Sequence, residues 1–518
     1  MKKITLFFLS LAVTASLFAQ TAEEALNFAQ EYYEGTARTM AMGNAFTALG
    51  GDLGAIGINP ASSGVMNCSQ FAFSPSLTTS RSNTNYLGNN TNARNTGFTV
   101  SSLGAVINFD TGRYTGLVNY NFGFVFNKKN NFRSVMQVSG TTNNSSMLSS
   151  LGADLEGFDW HYIDLDYSDD PYTATTASWP GIIAYNAYAL RPLSDLGGKY
   201  ANVNDSYIAS TENYDEATDQ LRIGGPLDQR FNRKTRGSNE EFSFNFGTNF
   251  SDRFYVGVNL NFLTLTQTTE EFYEEKAQNS YHFDDGFVKM DNSYWLRTVG
   301  TGFNAKVGFI VAPVAGLRLG ATITTPTWYR MRDEWDYTMN TAFDNGNTNT
   351  IYTPTGTYTY NMTAPMRWSV GAAYTFWDRG LISVDYEGVN YASTRLYEYR
   401  STTPGVFADE DQRIAQSFQR AGILRVGAEI RVLDFISLRG GYQNYSPAIR
   451  GNASRNGYSA GIGFAIGQQF SIDLAWTRLA SQSDSFQLYD NYSSAVTVPQ
   501  GINTQSQNKI VCTVGFKF

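Results

Sequence analysis

Arg367, Arg425, Arg431 and Arg439 stand in stretches where apolar and polar residues alternate, and parity puts them on one face with Asp385, Glu387, Glu429 and Asp473. A guanidinium in an enclosed space presents paired N–H donors that match a carboxylate. Arg367, Arg425 and Arg439 are therefore candidate contacts for an acidic head group. The alternative for any one of them is a structural charge network with the neighbouring acids. Catalysis has fewer materials. His161 and His282 are the two histidines of the chain, and both fall in loop-like sequence with no nucleophile set beside them. Hydrolytic chemistry of the usual kind needs such a base–nucleophile pair, so no enzyme and no catalytic residue is expected. Asp164, Asp166, Asp169 and Asp170 carry the oxygen ligands calcium prefers, yet an acidic solvated loop explains them more simply. No metal or cofactor is expected. Gly50 to Gly57 lacks the spacing of a phosphate-binding loop.

A different chemistry, that of rigid corners, is written into Asn59-Pro60-Ala61. Proline fixes φ, and an asparagine side chain bonds nearby backbone. Around it lies a run rich in small residues, Gly35-Thr-Ala-Arg38 to Met42-Gly43-Asn44 and Gly50-Gly51-Asp52 to Gly57. Upstream, Ala22 to Tyr33 spaces Ala25, Leu26, Phe28, Ala29, Tyr32 and Tyr33 as the apolar face of a short helix.

The elements that must position these residues are strands. Successive side chains of a strand point to opposite faces. Ile510, Cys512, Val514, Phe516 and Phe518 share one face, with Lys509, Thr513 and Lys517 on the other. Trp368, Val370, Ala372, Tyr374 and Phe376 alternate in the same way, as do Phe254 to Phe262 and Leu424 to Val432. Strands are predicted near 68–79, 97–109, 117–127, 241–250, 254–270, 295–311, 317–334, 357–376, 381–396, 421–432, 436–446, 454–466, 470–480 and 508–518. Their connections alternate. Short turns near 110–116, 251–253, 312–316, 377–380, 433–435 and 467–469 interleave with mostly long polar segments, 128–240 above all. A sandwich has no reason to segregate its loops by end, whereas a membrane barrel has short periplasmic turns and longer outer loops. The expected fold class is all-β, a 14-stranded antiparallel transmembrane barrel with an N-terminal plug in its lumen.

Composition agrees. Aromatic residues reach 15% while charged residues stay at 16%, below the ~25% of soluble domains. Past residue 19 no apolar run is long enough for a membrane helix. The net charge of −8 excludes a nucleic-acid partner on electrostatic grounds. Lys2 and Lys3 followed by an apolar stretch ending Phe18-Ala19-Gln20 read as a secretory signal cut after Ala19. The domains expected are thus signal 1–19, hatch 20–67 and barrel 68–518, with an extracellular loop 128–240. Cys68 and Cys512 fall on the first and last strands but with opposite parity, so no bond between them is expected.

Gly35-Thr-Ala-Arg38, Met42-Gly43-Asn44-Ala45, Asp52 and Asn59-Pro60-Ala61 resemble the N-terminal hatch of the FadL/TodX long-chain fatty-acid and hydrocarbon transporters. Ala364-Pro365, Asp385-Tyr386, Tyr391-Ala392-Ser393 and Leu438-Arg439-Gly-Gly-Tyr442 look similar to later pieces of that family, and the signal end and loops resemble Bacteroidetes-type members. The resemblance implies a cell outer-membrane protein of a Gram-negative bacterium that takes up hydrophobic compounds passively. It makes Asn59, Pro60, Ala61, Gly43 and Asp52 the hatch residues. It also implies ligand release past the hatch or through a lateral opening, which has physical sense: an acyl chain entering water loses ~0.8 kcal/mol per CH₂. Ser62-Ser63 stands where the family usually has glycine, and 128–240 is longer than the resemblance accounts for. The partners implied are a fatty-acid-like ligand, outer-membrane lipids, and the barrel-assembly machinery, which reads a terminal strand such as that ending at Phe518. A type IX secretion-associated barrel and a general porin are the competing readings.

Overall fold

The computed structural model describes residues 21–377, 379–401, 405–493 and 496–518. The expected signal segment, 1–19, lies outside these. The chain closes into a 14-strand antiparallel barrel. Its strands are β1 (Gln70–Tyr86), β2 (Asn89–Asp110), β3 (Leu117–Asn131, resumed as Ser134–Thr142), β4 (Leu227–Phe250), β5 (Phe254–Ala277) and β6 (Phe287–Val314). They continue as β7 (Leu317–Thr324 and Thr327–Phe343), β8 (Gly356–Ala364 and Arg367–Phe376) and β9 (Gly380–Asn390 and Arg395–Glu398). The last five are β10 (Arg420–Leu433), β11 (Ile436–Tyr445), β12 (Arg455–Ile466), β13 (Phe470–Gln487) and β14 (Gln500–Lys517). Closure is direct: β1 pairs β14 from Gln70–Lys517 to Asn85–Ile502.

The wall is inverted relative to a soluble sheet. On β1, Ser74, Ser76, Thr78, Ser80, Ser82 and Thr84 are buried, while Phe71, Phe73 and Leu77 are exposed. The same holds on β5, where Asn259 and Asn261 are buried between exposed Val258, Leu260 and Phe262. Polar-in, apolar-out alternation is stable only where the outside is hydrocarbon. Among the described residues, no helix is long and apolar enough to cross a membrane. The strands therefore make the crossing.

One rim carries tight turns. Residues 251–253 join β4 to β5, pairing Phe250 with Phe254, and Ser251 and Asp252 each have a φ of +56°. The opposite rim differs from expectation. Residues 80–96 are not a loop: β1 and β2 run on to a two-residue turn at Leu87-Gly88. Much of 271–294 and 481–507 is likewise strand, and 128–240 begins and ends as strand. Above the lipid the outward face is also polar, as in Arg230, Asn232, Lys234 and Arg236, so the apolar alternation that marks a strand fades while the ladder continues.

Between β3 and β4, residues 143–226 build a cap with α4 (Met147–Asp154), α5 (Pro171–Ala174) and α6 (Trp179–Asn186). Its core of Leu148, Leu151, Leu155, Ile182 and Ile183 merges with Tyr86, Phe231, Tyr273 and Met339 from the strands beneath. Trp179 packs on Trp335 of β7 at 5.5 Å between ring centroids, and Ser146 donates to Glu275 of β5 at 2.6 Å. Cys68 and Cys512 are both free thiols.

Candidate functional site

Residues 21–67 lie inside the barrel. They form α1 (Ala22–Ala29), α2 (Ala37–Ala41), α3 (Leu53–Ile56) and a 3-10 turn at Pro60–Val65. Each starts on a side-chain cap. Thr21 accepts from the Glu24 N–H, Thr36 from Thr39, Asp52 from Gly54, and Asn59 from Ala61. Such caps satisfy N–H groups that would otherwise be orphaned in a short helix. Asp52 also accepts from Thr36 Oγ1 at 2.7 Å, joining two caps.

Asn59, Pro60 and Ala61 sit where this segment meets β5 and β6. The Asn59 amide donates to Thr47 O at 2.6 Å and to Phe309 O at 3.2 Å, and its Oδ1 accepts from Ala61 N at 3.0 Å. The wall makes room by omitting side chains. Gly257 and Gly308 pair directly across β5 and β6, and a Cβ on either would collide with Pro60 or Asn59. Across the lumen Gly43, with φ +62°, rests on the Val426 and Tyr442 backbones; its carbonyl accepts from Gln443 at 2.8 Å.

Charge holds the rest. Arg367, Arg425 and Arg439 all point inward, and carboxylates engage all three. Arg367 meets Glu31 at 3.2 Å and Glu387 at 2.7 Å, and Arg425 meets the other Glu387 oxygen at 2.7 Å. Arg439 binds Glu429 at 2.5 Å and also Asp473, while Arg38 of the lumenal segment takes Glu429 in a two-point bond at 2.9 and 3.0 Å. Lys129 of β3 binds Glu31 at 2.7 Å, and Lys509 of β14 binds Glu34. Burial by itself would raise the Glu31 carboxyl, but Arg367 and Lys129 outweigh it and hold the group below the ordinary carboxylate range. Arg431, by contrast, is exposed on the turn rim.

Outward of this segment lies a cavity of about 1310 Å³ bordered by α1, β3 to β7 and β10 to β14. Arg367, Arg425 and Arg439 do not line it. Its wall includes Glu24, Phe132, Arg133, Arg233, Glu271, Tyr294 and Tyr337, and it borders exposed Asn452 and Ala453 beside Arg455. Most of these fall in segments whose strand character the apolar alternation does not reveal. The nearest signal is the apolar face of α1, which leaves Glu23, Glu24 and Asn27 on the side that meets the cavity. Burial and the neighbouring Asp333 and Glu271 carboxylates raise the Glu24 carboxyl well above its ordinary value.

The cap aromatics are partly packed and partly free. Trp160 stacks on His161 and faces Tyr185, whereas Tyr162 and Tyr188 are exposed. His161 Nδ1 lies 2.6 Å from Asp159. Asp164 and Asp170 bond nearby backbone N–H groups, and among the described residues no cluster suits a metal ion.

These features define a class: a membrane-spanning β-barrel whose lumen holds an N-terminal segment beneath a cavity. Among solved structures, a Pseudomonas aeruginosa FadL homologue aligns over 94% of this chain and 99% of its own, at 11% identity and a TM-score of 0.54. The P. putida toluene transporter TodX aligns over 94% and 99%, at 12% identity and a TM-score of 0.52. No protein-family model matches the chain, and no curated protein matches it by sequence. The chain has the FadL/TodX barrel fold, and its place is the outer membrane.

Proposed function

We propose that this barrel takes up hydrophobic compounds passively across the outer membrane, long-chain fatty acids being the example its family resemblance supplies. The observation that carries this reading is the stacking of a ligand-sized cavity on a lumenal segment whose buried contacts run from Ala37–Thr513 on one wall to Asn59–Phe309 on another. A lumen so filled is unsuited to free diffusion of polar solutes. The segment 21–67 acts as the hatch, with Asn59, Pro60 and Ala61 as its corner, Gly43 as its opposite rest and Asp52 as its internal cap.

Release takes a sideways route. The β2–β3 ladder runs from Asp110–Asn119 to Ser102–Asn127 and stops. There β3 turns inward, and Lys128 and Lys129 pair instead with Glu34 and Tyr32 of the lumenal segment. The Arg133 guanidinium fills the gap, seated over Gly97 and bonded to Asn95 Oδ1 at 2.8 Å. An apolar ligand leaving here passes from the cavity toward the bilayer without crossing water.

The test is transport in proteoliposomes together with planar-bilayer recording. Wild type is expected to carry a hydrophobic probe such as octanol without steady conductance. Gly97→Leu is expected to slow release while leaving equilibrium binding of the same probe unchanged. Wide, steady conductance to small ions would favour a porin and sink this reading.

A further inference from the structure

The charge of the cavity says which hydrophobic compounds suit it, and this inference rests on the transport reading above. Six acids line the cavity, Glu23, Glu24, Glu31, Glu271, Asp484 and Asp490, against three arginines, Arg133, Arg233 and Arg455. The arginine nearest Glu24 is already committed, since Arg233 donates to Glu271 at 2.6 Å. Glu24 itself stands on the cavity side of α1, and its carboxylate has no salt bridge or hydrogen bond among the described residues. Beside it Tyr294 stacks on Tyr337 with centroids 4.5 Å apart. Elsewhere the lining turns apolar, through Leu26, Phe132, Leu296, Ile423 and Leu479.

With Glu31 paired to Lys129 and Arg367 and Glu271 to Arg233, the acids Glu23, Glu24, Asp484 and Asp490 remain against Arg133 and Arg455. A fatty-acid anion would therefore meet a net excess of carboxyl groups, while Arg367, Arg425 and Arg439 lie outside the cavity bound to protein carboxylates. A protonated amine would meet the reverse: the Glu24 carboxyl, which a bound ammonium would hold in its charged form for a charge-assisted bond, and tyrosine ring faces that attract cations. We propose that the cavity takes amphiphiles carrying a basic nitrogen on an apolar body, an alkyl- or arylalkylamine, with Glu24 as counter-ion and Tyr294 as the aromatic face beside it.

The experiment is calorimetric titration of the mature chain in nanodiscs with octylamine, octanoate and 1-octanol at neutral pH. Octylamine is expected to bind about tenfold tighter than octanoate. Glu24→Gln should bring octylamine down to the level of octanol and leave octanol itself unchanged. Tyr294→Leu, which keeps every charge, should weaken octylamine alone. Octanoate binding as well as octylamine in wild type would overturn the proposal and leave the transport reading standing. So would an amine preference that survives Glu24→Gln. If none of the three binds, the transport reading fails and this inference with it.

Discussion

Asn59 Oδ1 occupies the place that a Cβ on Gly308 would take. The strand glycine and the corner asparagine are 249 positions apart yet fill one another's space, and Gly257, paired to Gly308, does the same for Pro60. Gly308→Ala is expected to unseat the lumenal segment at a cost of about 1–3 kcal/mol, the usual price of overpacking. The barrel should still fold, and bilayer recordings should show intermittent conductance. Gly440→Ala is the control, because nothing lies within 4 Å of its added Cβ; it should stay closed.

Glu31 links Lys129 of β3 to Arg367 of β8. Removing one member of a buried pair leaves the others uncompensated, and Glu31→Gln is expected to loosen the segment by about 3 kcal/mol. The readout is cleavage at Arg38 by added trypsin, slow in wild type and fast in the variant.

The same residue sets an acid limit. A carboxyl held below its ordinary value stabilises the folded arrangement above that value, ~4.3 for glutamate, and the contribution disappears as pH falls through the depressed folded value. Wild-type channels should therefore remain closed from neutrality to about pH 5. Acid-induced opening is expected only below the ordinary carboxylate range. Opening that grows steadily between neutrality and mild acid would contradict this assignment.

Asp52 caps α3 and accepts from Thr36 at the start of α2. Asp52→Ala should cost about 1 kcal/mol locally, visible as faster amide exchange at Gly54 with no change in the thermal transition of the barrel.

Leu260 faces outward on β5 and is 48% exposed, between inward Asn259 and Asn261. If that exposure is to acyl chains, Leu260→Arg should destabilise the inserted barrel by about 2–4 kcal/mol in refolding titrations into lipid. Leu260→Phe should be neutral. Equal tolerance of both would place this face in water.

The period of two let the residues themselves mark fourteen strands, their lipid and lumen faces, and the turn rim, because within hydrocarbon every outward position must be apolar. The same logic stopped at the membrane surface. Beyond it both faces are polar, so the extensions of β1, β2, β4 and β6 read as loops. Asn59-Pro60 was legible as a rigid corner and Arg367, Arg425 and Arg439 as inward charges, since both follow from local chemistry and parity. Which glycines receive the corner, and which carboxylates engage the arginines, depended on barrel closure. Arg38 and Glu429 are 391 residues apart and touch only because a sheet that returns to its first strand brings every inward face around one axis.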